Sequence, residues 1–161
     1  MIGLRGLIAV GSLLLLSACG FHLRDHYQLP DSLQQVAVQS TTSDRLADII
    51  RQQLINAGAA LNTDAKTRLK ITGDRLERRT LSLFKSGQVA EYQLLYQIDY
   101  QILLPKHQPI AMHIEVARDY QDDPNYVLAK TREREILVEE MRVEAARRMV
   151  RQIIARLNDE L

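Results

Sequence analysis

The chain has 161 residues with 21 basic and 20 acidic side chains, a formal net charge of +1 at pH 7. A balance this even gives no bulk attraction to polyanions, so it argues against a nucleic-acid-binding protein and requires any anion site to come from local clustering. The single cysteine excludes an internal disulfide.

Residues 1–18 have the layout of an export signal. Arg5 supplies one positive charge, and an apolar run follows from Leu7 to Leu16. A membrane-spanning helix needs roughly 20 apolar residues, so this shorter run predicts a signal peptide over residues 1–18 rather than a span. The run ends at Leu16-Ser17-Ala18-Cys19, which resembles the lipobox of bacterial lipoproteins.

Cys19 is therefore the predicted lipid attachment point and the first residue of the mature chain. The lipobox implies a diacylglycerol group on its sulfur and an acyl chain on its amine, and no other cofactor is predicted. Two or three acyl chains on one residue hold a protein stably on a bilayer. Gly20 stands where an aspartate would mark inner-membrane retention in enterobacteria-like systems, which favours the outer membrane.

Residues 19–32 are predicted to be the lipidated cysteine and a polar tether, and residues 33–161 a single domain, because no repeat or linker divides them. Val36 and Val38 alternate with polar neighbours and predict a short first strand. A helix is predicted next, capped by the hydroxyls of residues 40–43 and ended by Gly58. Its apolar face comprises Leu46, Ile49, Ile50, Leu54 and Ala57.

Alternation with a period of two predicts three more strands. Leu69, Ile71 and Leu76 indicate the second, with Gly73 marking an irregularity. The long run from Tyr92 to Leu104 predicts the third, and Ile110 to Val116 predicts the fourth, so these two form a β-hairpin.

The final segment, from about Thr131 to Asn158, contains no glycine or proline and predicts a long amphipathic helix. Its apolar row comprises Leu137, Met141, Ala145, Met149, Ile153 and Leu157.

The predicted order β-α-β-β-β-α indicates an α+β two-layer sandwich, with one mixed four-stranded sheet and two helices on one face. The other face of the sheet is predicted to be polar, and so to face water or a polar partner such as a barrel lumen. Its residues are Gln93, Gln97, Asp99, Gln101, His113 and Glu115.

Motifs for catalysis and metal binding are weak. A nucleophile needs a base and an orienting group, yet the only cysteine is the predicted lipid site and no Gly-x-Ser-x-Gly elbow occurs. His22 and His26 are four residues apart, a spacing that suits a metal on a helix, but they fall in the predicted tether. The chain is therefore predicted to be neither an enzyme nor a metalloprotein.

Basic residues cluster near two predicted boundaries. Arg75, Arg78, Arg79 and Lys85 surround the second turn, while Lys130, Arg132 and Arg134 open the last helix. If strands two to four are antiparallel neighbours, Lys85 and Lys130 share one end of the sheet, where two ammonium groups suit phosphoryl groups. The alternative is a set of surface lysines without a ligand. Positive charge at a helix N-terminus opposes the macrodipole, which favours a functional reason for Lys130.

Three segments of the chain resemble the family of the LPS-assembly lipoprotein LptE, also called rare lipoprotein B. They are Cys19–Arg24, Ser82–Gln93 and Leu128–Lys130. The resemblance implies an α/β plug domain on the outer membrane, facing the periplasm and barrel lumen, that pairs one-to-one with the β-barrel subunit LptD and aids its assembly. It also implies lipopolysaccharide binding at Lys85 and Lys130, to which we add the neighbouring Arg78 and Arg79.

Two other functions stay open at this point. One is a lipid-anchored envelope scaffold that makes no contact with lipopolysaccharide, and the other is a lipoprotein hydrolase. Acidic substitution of Lys85 and Lys130 tests the first, and loss of turnover after a single Glu or His substitution tests the second.

Overall fold

A computed structural model of the chain describes residues 29–160. Cys19, the predicted signal peptide and the tether up to residue 28 lie outside the described residues, as do His22 and His26. Within the described range, no helix combines the length and the apolar content that crossing a bilayer requires.

The strands within residues 29–160 form one mixed sheet in the order β2-β1-β3-β4-β5. Strand β1 is parallel to β2 and β3, whereas β3, β4 and β5 are successively antiparallel. A 3-10 turn (Asp31–Leu33) precedes β1 (Gln35–Ser40), α1 (Asp44–Asn56), β2 (Ala60–Leu61), β3 (Thr67–Leu83), β4 (Val89–Leu103), β5 (Ile110–Gln121) and α2 (Val127–Glu160).

The predicted α+β fold is confirmed, with one more strand than the predicted four. The added strand, β2, has two residues, both exposed, that pair with the start of β1. A pair this short leaves no alternation in the sequence, so hydrophobic periodicity does not detect it.

The hydrophobic core lies between the sheet and the two helices. Alternate residues of β4 face it, and Tyr96 and Tyr100 are its largest fully buried side chains. The Tyr100 hydroxyl donates to Gln152 of α2 at 2.9 Å. Burial of these rings raises the pKa of both phenols far above the ordinary value, so they stay neutral.

Helix α1 begins and ends as predicted. Its N-cap is Ser43, whose hydroxyl accepts a hydrogen bond from the backbone N–H of Leu46 at 3.3 Å. Gly58, just past the end, has φ +97°, a left-handed conformation that favours glycine. Helix α2 begins at Val127, one turn earlier than predicted. The periodicity missed this turn because its apolar residues are exposed and do not continue the apolar row that faces the core.

Strand β3 runs to Leu83, well past the predicted Leu76. Its register against β4 shifts between Ile71 and Gly73, which is the irregularity that the sequence indicated. Gly73 leaves room there for the Asp99 side chain, which would have to shift to admit a Cβ atom, since that atom would lie 2.7 Å from its Oδ2 and 3.1 Å from its Cβ. After the bulge, the even-numbered residues of β3 face the helices, since they pair with the core-facing residues of β4.

Candidate functional site

The turn between β3 and β4 carries Lys85 at its tip. Phe84 and Gln88 close the turn through a backbone hydrogen bond of 2.7 Å from the Phe84 N–H. Gly87 has φ +86°, so the turn depends on a glycine at this position. The side chain of Lys85 is exposed and forms no salt bridge with the residues described.

The loop from β5 to α2 places Lys130 at the same end of the sheet. The Asp122 N–H donates to the carbonyl of Ala90 at 3.0 Å, which holds the loop against the start of β4. The Lys130 N–H donates to the carbonyl of Tyr126 at 2.9 Å in the first turn of α2. We call this end of the molecule, made by residues 84–88, 122–126 and the first turn of α2, the cationic end.

Lys130 is held by a carboxylate and an aromatic ring. Its Nζ donates to Oε2 of Glu133 at 2.9 Å and lies 5.2 Å from the ring centroid of Tyr120. The Tyr120 hydroxyl donates to the Lys130 carbonyl at 2.8 Å, so this tyrosine also fixes the helix backbone. The hydrogen bond to Glu133 raises the pKa of Lys130 above its ordinary value, so the ammonium is charged at physiological pH.

Arg78 and Arg79 point to opposite faces of the sheet, since neighbouring residues of a strand alternate. Arg78 lies on the helix-bearing face, 4.2 Å from the ring centroid of Tyr92. Arg79 lies on the polar face, where its guanidinium is 3.7 Å from Glu77. The structure therefore brings Arg78, but not Arg79, to the same face as Lys130.

Two tyrosines that the sequence analysis did not assign to the site connect these cations. Tyr92 of β4 and Tyr120 of β5 are register partners on the helix-bearing face. Arg78 lies over the first ring and Lys130 over the second. The alternation along the sequence predicted Tyr92 only as a core residue. It could not show that strand pairing brings the rings of Tyr92 and Tyr120 side by side.

Exposed apolar side chains surround these cations. Leu128, in the first turn of α2, is 83 % exposed. The others at this end are Leu81, Leu83, Phe84, Tyr126 and Val127. Large apolar residues gathered at one end of a small domain mark a contact surface, so the cationic end combines positive charge with apolar area.

Metal chemistry has no candidate site in residues 29–160, where no group of three or more His, Cys, Asp or Glu side chains is arranged to hold an ion. The cationic end offers no nucleophile paired with a base among its described residues; its ionisable side chains are two lysines, two aspartates and one tyrosine, and Arg78 lies beside it. Lysines beside exposed apolar side chains are a combination that suits an anionic, partly apolar ligand.

Comparison with known proteins identifies the family. A family model described as LptE, Lipopolysaccharide-assembly, matches residues 33–153. The LPS-assembly lipoprotein LptE of Yersinia pestis (strain Pestoides F) is 36 % identical over 159 residues, covering 96 % of this chain and 73 % of the relative.

Solved structures agree with the fold. The crystal structure of rare lipoprotein B from Shewanella oneidensis, 37 % identical, matches with a TM-score of 0.71 over 79 % of this chain and 99 % of that one. The solution structure of lipoprotein B from Nitrosomonas europaea, 24 % identical, matches in fold with a TM-score of 0.69 over 84 % of this chain and 91 % of that one. From its sequence and its fold alike, the chain is a member of the LptE family of lipopolysaccharide-assembly lipoproteins.

Proposed function

We propose that this protein is an outer-membrane lipoprotein, anchored by acyl chains on Cys19, that pairs with the LptD β-barrel, plugs it, aids its assembly and binds lipopolysaccharide for delivery to the outer leaflet. Family membership and the names of the relatives support the assembly role. The lipobox resemblance supports the anchor.

The observation that carries lipopolysaccharide binding is the composition of the cationic end. Lipopolysaccharide presents phosphates beside acyl chains. Lys85, Lys130 and Arg78 lie at or near this end together with exposed apolar side chains. Charge-assisted hydrogen bonds hold phosphates strongly, and the apolar residues offer area for acyl chains. Arg79 is the weakest of the four candidates because it lies on the other face.

The polar face of the sheet supports a place inside a barrel. Side chains on this face form hydrogen-bonded pairs across β4 and β5, so the face is largely polar, and no described helix covers it. These pairs are Gln93–Asp119 at 3.2 Å, Gln97–Glu115 at 2.8 Å and Asp99–His113 at 2.7 Å. The lumen of a large outer-membrane barrel is polar as well.

Charge reversal at the cationic end tests the recognition role. Lys85→Glu and Lys130→Glu together are expected to lower affinity for purified lipopolysaccharide by at least about tenfold, which corresponds to ~1.4 kcal/mol. Lys66→Glu is the matched control, because Lys66 is an exposed lysine at the opposite end of β3. Circular dichroism should show every variant folded, with a small loss of thermal stability in the double variant because Lys130→Glu removes the ion pair with Glu133. Binding equal to wild type in the double variant rejects the recognition role.

Purification of the full-length lipoprotein from detergent-extracted outer membranes tests the partner. A large barrel is expected to co-purify with it at one-to-one stoichiometry, in the double lysine variant as in the wild type. Co-purification without any lipopolysaccharide binding would leave the scaffold function, and absence of the barrel would reject the pairing.

A further inference from the structure

The distal half of β3 is an open sheet edge. Strand β1 pairs with β3 only from Thr67 to Ile71. From Gly73 onward, β3 has β4 on one side and no described strand on the other. Alternate residues of this stretch therefore direct backbone N–H and C=O groups away from the sheet, as a template for another strand.

This edge is regular over most of its length. Gly73 to Thr80 pair with Asp99 to Tyr92 without interruption, and the next register shift comes only after Thr80. Leu76, in the middle of this stretch, is 45 % exposed. Bulges, prolines and inward-pointing charges are the usual protection of an edge. Here the bulges lie at the two ends of the stretch and residues 73–80 contain no proline. The protection that remains is charge, including Asp74 and Arg78 on the helix-bearing face, so an added strand has to match these charges.

A groove runs beside this edge, on the helix-bearing face. It has a volume of about 550 Å³, and Leu76, Leu94 and Val138 contribute its apolar lining. It exists because α1 covers the proximal half of the sheet and α2 covers β4 and β5, which leaves the distal part of β3 without a helix above it.

Two of the arginines that line the groove have no acidic partner. Arg78 and Arg134 form no salt bridge with any residue whose side chain is described, whereas Arg142, also in the lining, binds Glu139 at 3.3 Å. Glu77 and Glu135 also line the groove, so its three arginines leave only a small positive excess. That excess beside apolar side chains complements an occupant that carries both carboxylates and apolar groups.

We propose that the edge from Gly73 to Thr80 receives an extended segment of the partner protein as an added antiparallel or parallel strand. This segment alternates apolar and acidic side chains, with the apolar ones over Leu76 and the carboxylates beside Arg78 and Arg134. The inference rests on the proposed pairing with a barrel subunit and names the part of the domain that the partner's chain joins.

The edge decides between a polypeptide and a lipid. The two arginines alone would suit the phosphates of a lipid equally well. A row of outward-facing backbone N–H and C=O groups, however, is satisfied in register only by another strand. A strand placed there also continues the sheet on the side where β1 stops.

Hydrogen exchange measured by mass spectrometry tests the proposal on the full-length lipoprotein in detergent. Three samples are compared: the protein alone, the protein with purified lipopolysaccharide, and the protein co-purified with its barrel. Peptides covering residues 73–80 are expected to exchange at least tenfold more slowly in the co-purified complex. Lipopolysaccharide alone is expected to slow them less than about twofold, since its proposed contact with this stretch is the Arg78 side chain and not the backbone of the edge.

Three outcomes overturn the proposal. Unchanged exchange of residues 73–80 in an intact complex means that no strand is added. Protection by lipopolysaccharide alone means that a lipid occupies the groove, and protection that rises with concentration of the free protein means that a second copy does. None of these three outcomes contradicts the proposed pairing with the barrel. A preparation in which no barrel co-purifies rejects the proposed function itself.

A substitution at the edge gives an independent test. Leu76→Glu places a charge against the added strand and is expected to lower the yield of co-purified barrel at least fivefold, while lipopolysaccharide binding stays at the wild-type level. Ile55→Glu is the matched control, since Ile55 is a similarly exposed residue, 48 % against 45 %, on α1. Circular dichroism confirms that both variants fold, and a wild-type yield with Leu76→Glu overturns the inference.

Discussion

Tyr120 and Glu133 together determine how available the Lys130 ammonium is to a ligand. Tyr120 is 6 % exposed, and burial raises the pKa of its hydroxyl, which therefore stays a donor to the Lys130 carbonyl. Glu133 neutralises part of the charge of Lys130, whose own side chain is 20 % exposed. A phosphate that binds Lys130 must compete with this carboxylate.

Glu133→Gln is therefore expected to strengthen lipopolysaccharide binding severalfold, because the amide competes less well than the carboxylate for Nζ. The same change should lower the pKa of Lys130 toward its ordinary value, since the hydrogen bond to the carboxylate is the main cause of the shift. Titration calorimetry measures the affinity, and NMR of the labelled lysine measures the pKa. Glu140→Gln, an exposed glutamate of the same helix, is the control; weaker binding by Glu133→Gln would contradict the prediction.

Gly73 is the residue at which the absence of a side chain matters most for packing. Gly73→Ala is expected to destabilise the fold by about 1–3 kcal/mol, because its Cβ would press on the Asp99 carboxylate, which binds His113 at 2.7 Å and Arg75 at 3.2 Å. Chemical denaturation measures the loss. The double variant with Asp99→Ala should recover part of it, as the obstructing atoms are gone, and strictly additive losses would argue against this contact.

At the level of elements, the carboxylate of Glu139 links the two helices. Glu139 of α2 accepts hydrogen bonds from Arg45 of α1 and from Arg142 of its own helix. The bond from Arg45 is the main cause of a lowered pKa for Glu139. A lowered pKa in the folded state means that this pair stabilises the fold at pH values above the ordinary glutamate pKa, and that the contribution is lost as pH falls through the folded-state pKa.

Glu139→Gln is expected to reduce the free energy of unfolding by about 0.5–1 kcal/mol at pH 7, the range for partly exposed pairs. The difference from wild type should shrink as pH falls below about 4.3. Denaturant unfolding at a series of pH values checks both statements, with Glu140→Gln as a neighbouring control. A difference that grows in acid would show that the ion pair is not its origin.

The elements that the sequence predicted well are those with one buried face. Helix α1, strand β4 and most of α2 show clear periodicity because core and solvent alternate along them. The distal half of β3 does not, because residues 74–81 are exposed or half-buried on both faces and so carry no pattern. Its length follows instead from pairing with β4, a long-range property that a local pattern does not contain.

At the level of the whole molecule, the sequence predicted that Lys85 and Lys130 lie at the same end. Antiparallel connectivity alone places the turn after β3 and the end of β5 at one end of the sheet. Which cations share a face was not predictable. The separation of Arg78 from Arg79, and the contacts of Tyr92 and Tyr120, depend on the strand register after the bulge at Gly73.

The apolar part of the cationic end is expected to contribute to ligand binding without contributing to folding. Leu128→Ser should change the free energy of unfolding by less than about 0.5 kcal/mol, as expected for an exposed position. It should weaken lipopolysaccharide binding severalfold, since burying a leucine fully contributes about 1.5–3 kcal/mol and a ligand covers only part of it. Ile55→Ser, at the opposite end, is the control. Unchanged affinity of Leu128→Ser for lipopolysaccharide would mean that Leu128 takes no part in binding and that charged side chains alone recognise the ligand.

The parallel pairing of β1 with β3 determines which pole of the molecule a lipid on Cys19 would hold. Val36 pairs with Thr67, so the chain enters the fold beside the start of β3, whereas the cationic end lies past Leu83. About 16 strand residues at ~3.3 Å each separate these poles by roughly 50 Å, more than the ~30 Å hydrocarbon thickness of a bilayer. In the proposed anchored protein, strand order therefore puts the candidate binding end at the pole opposite the one where the chain enters the fold.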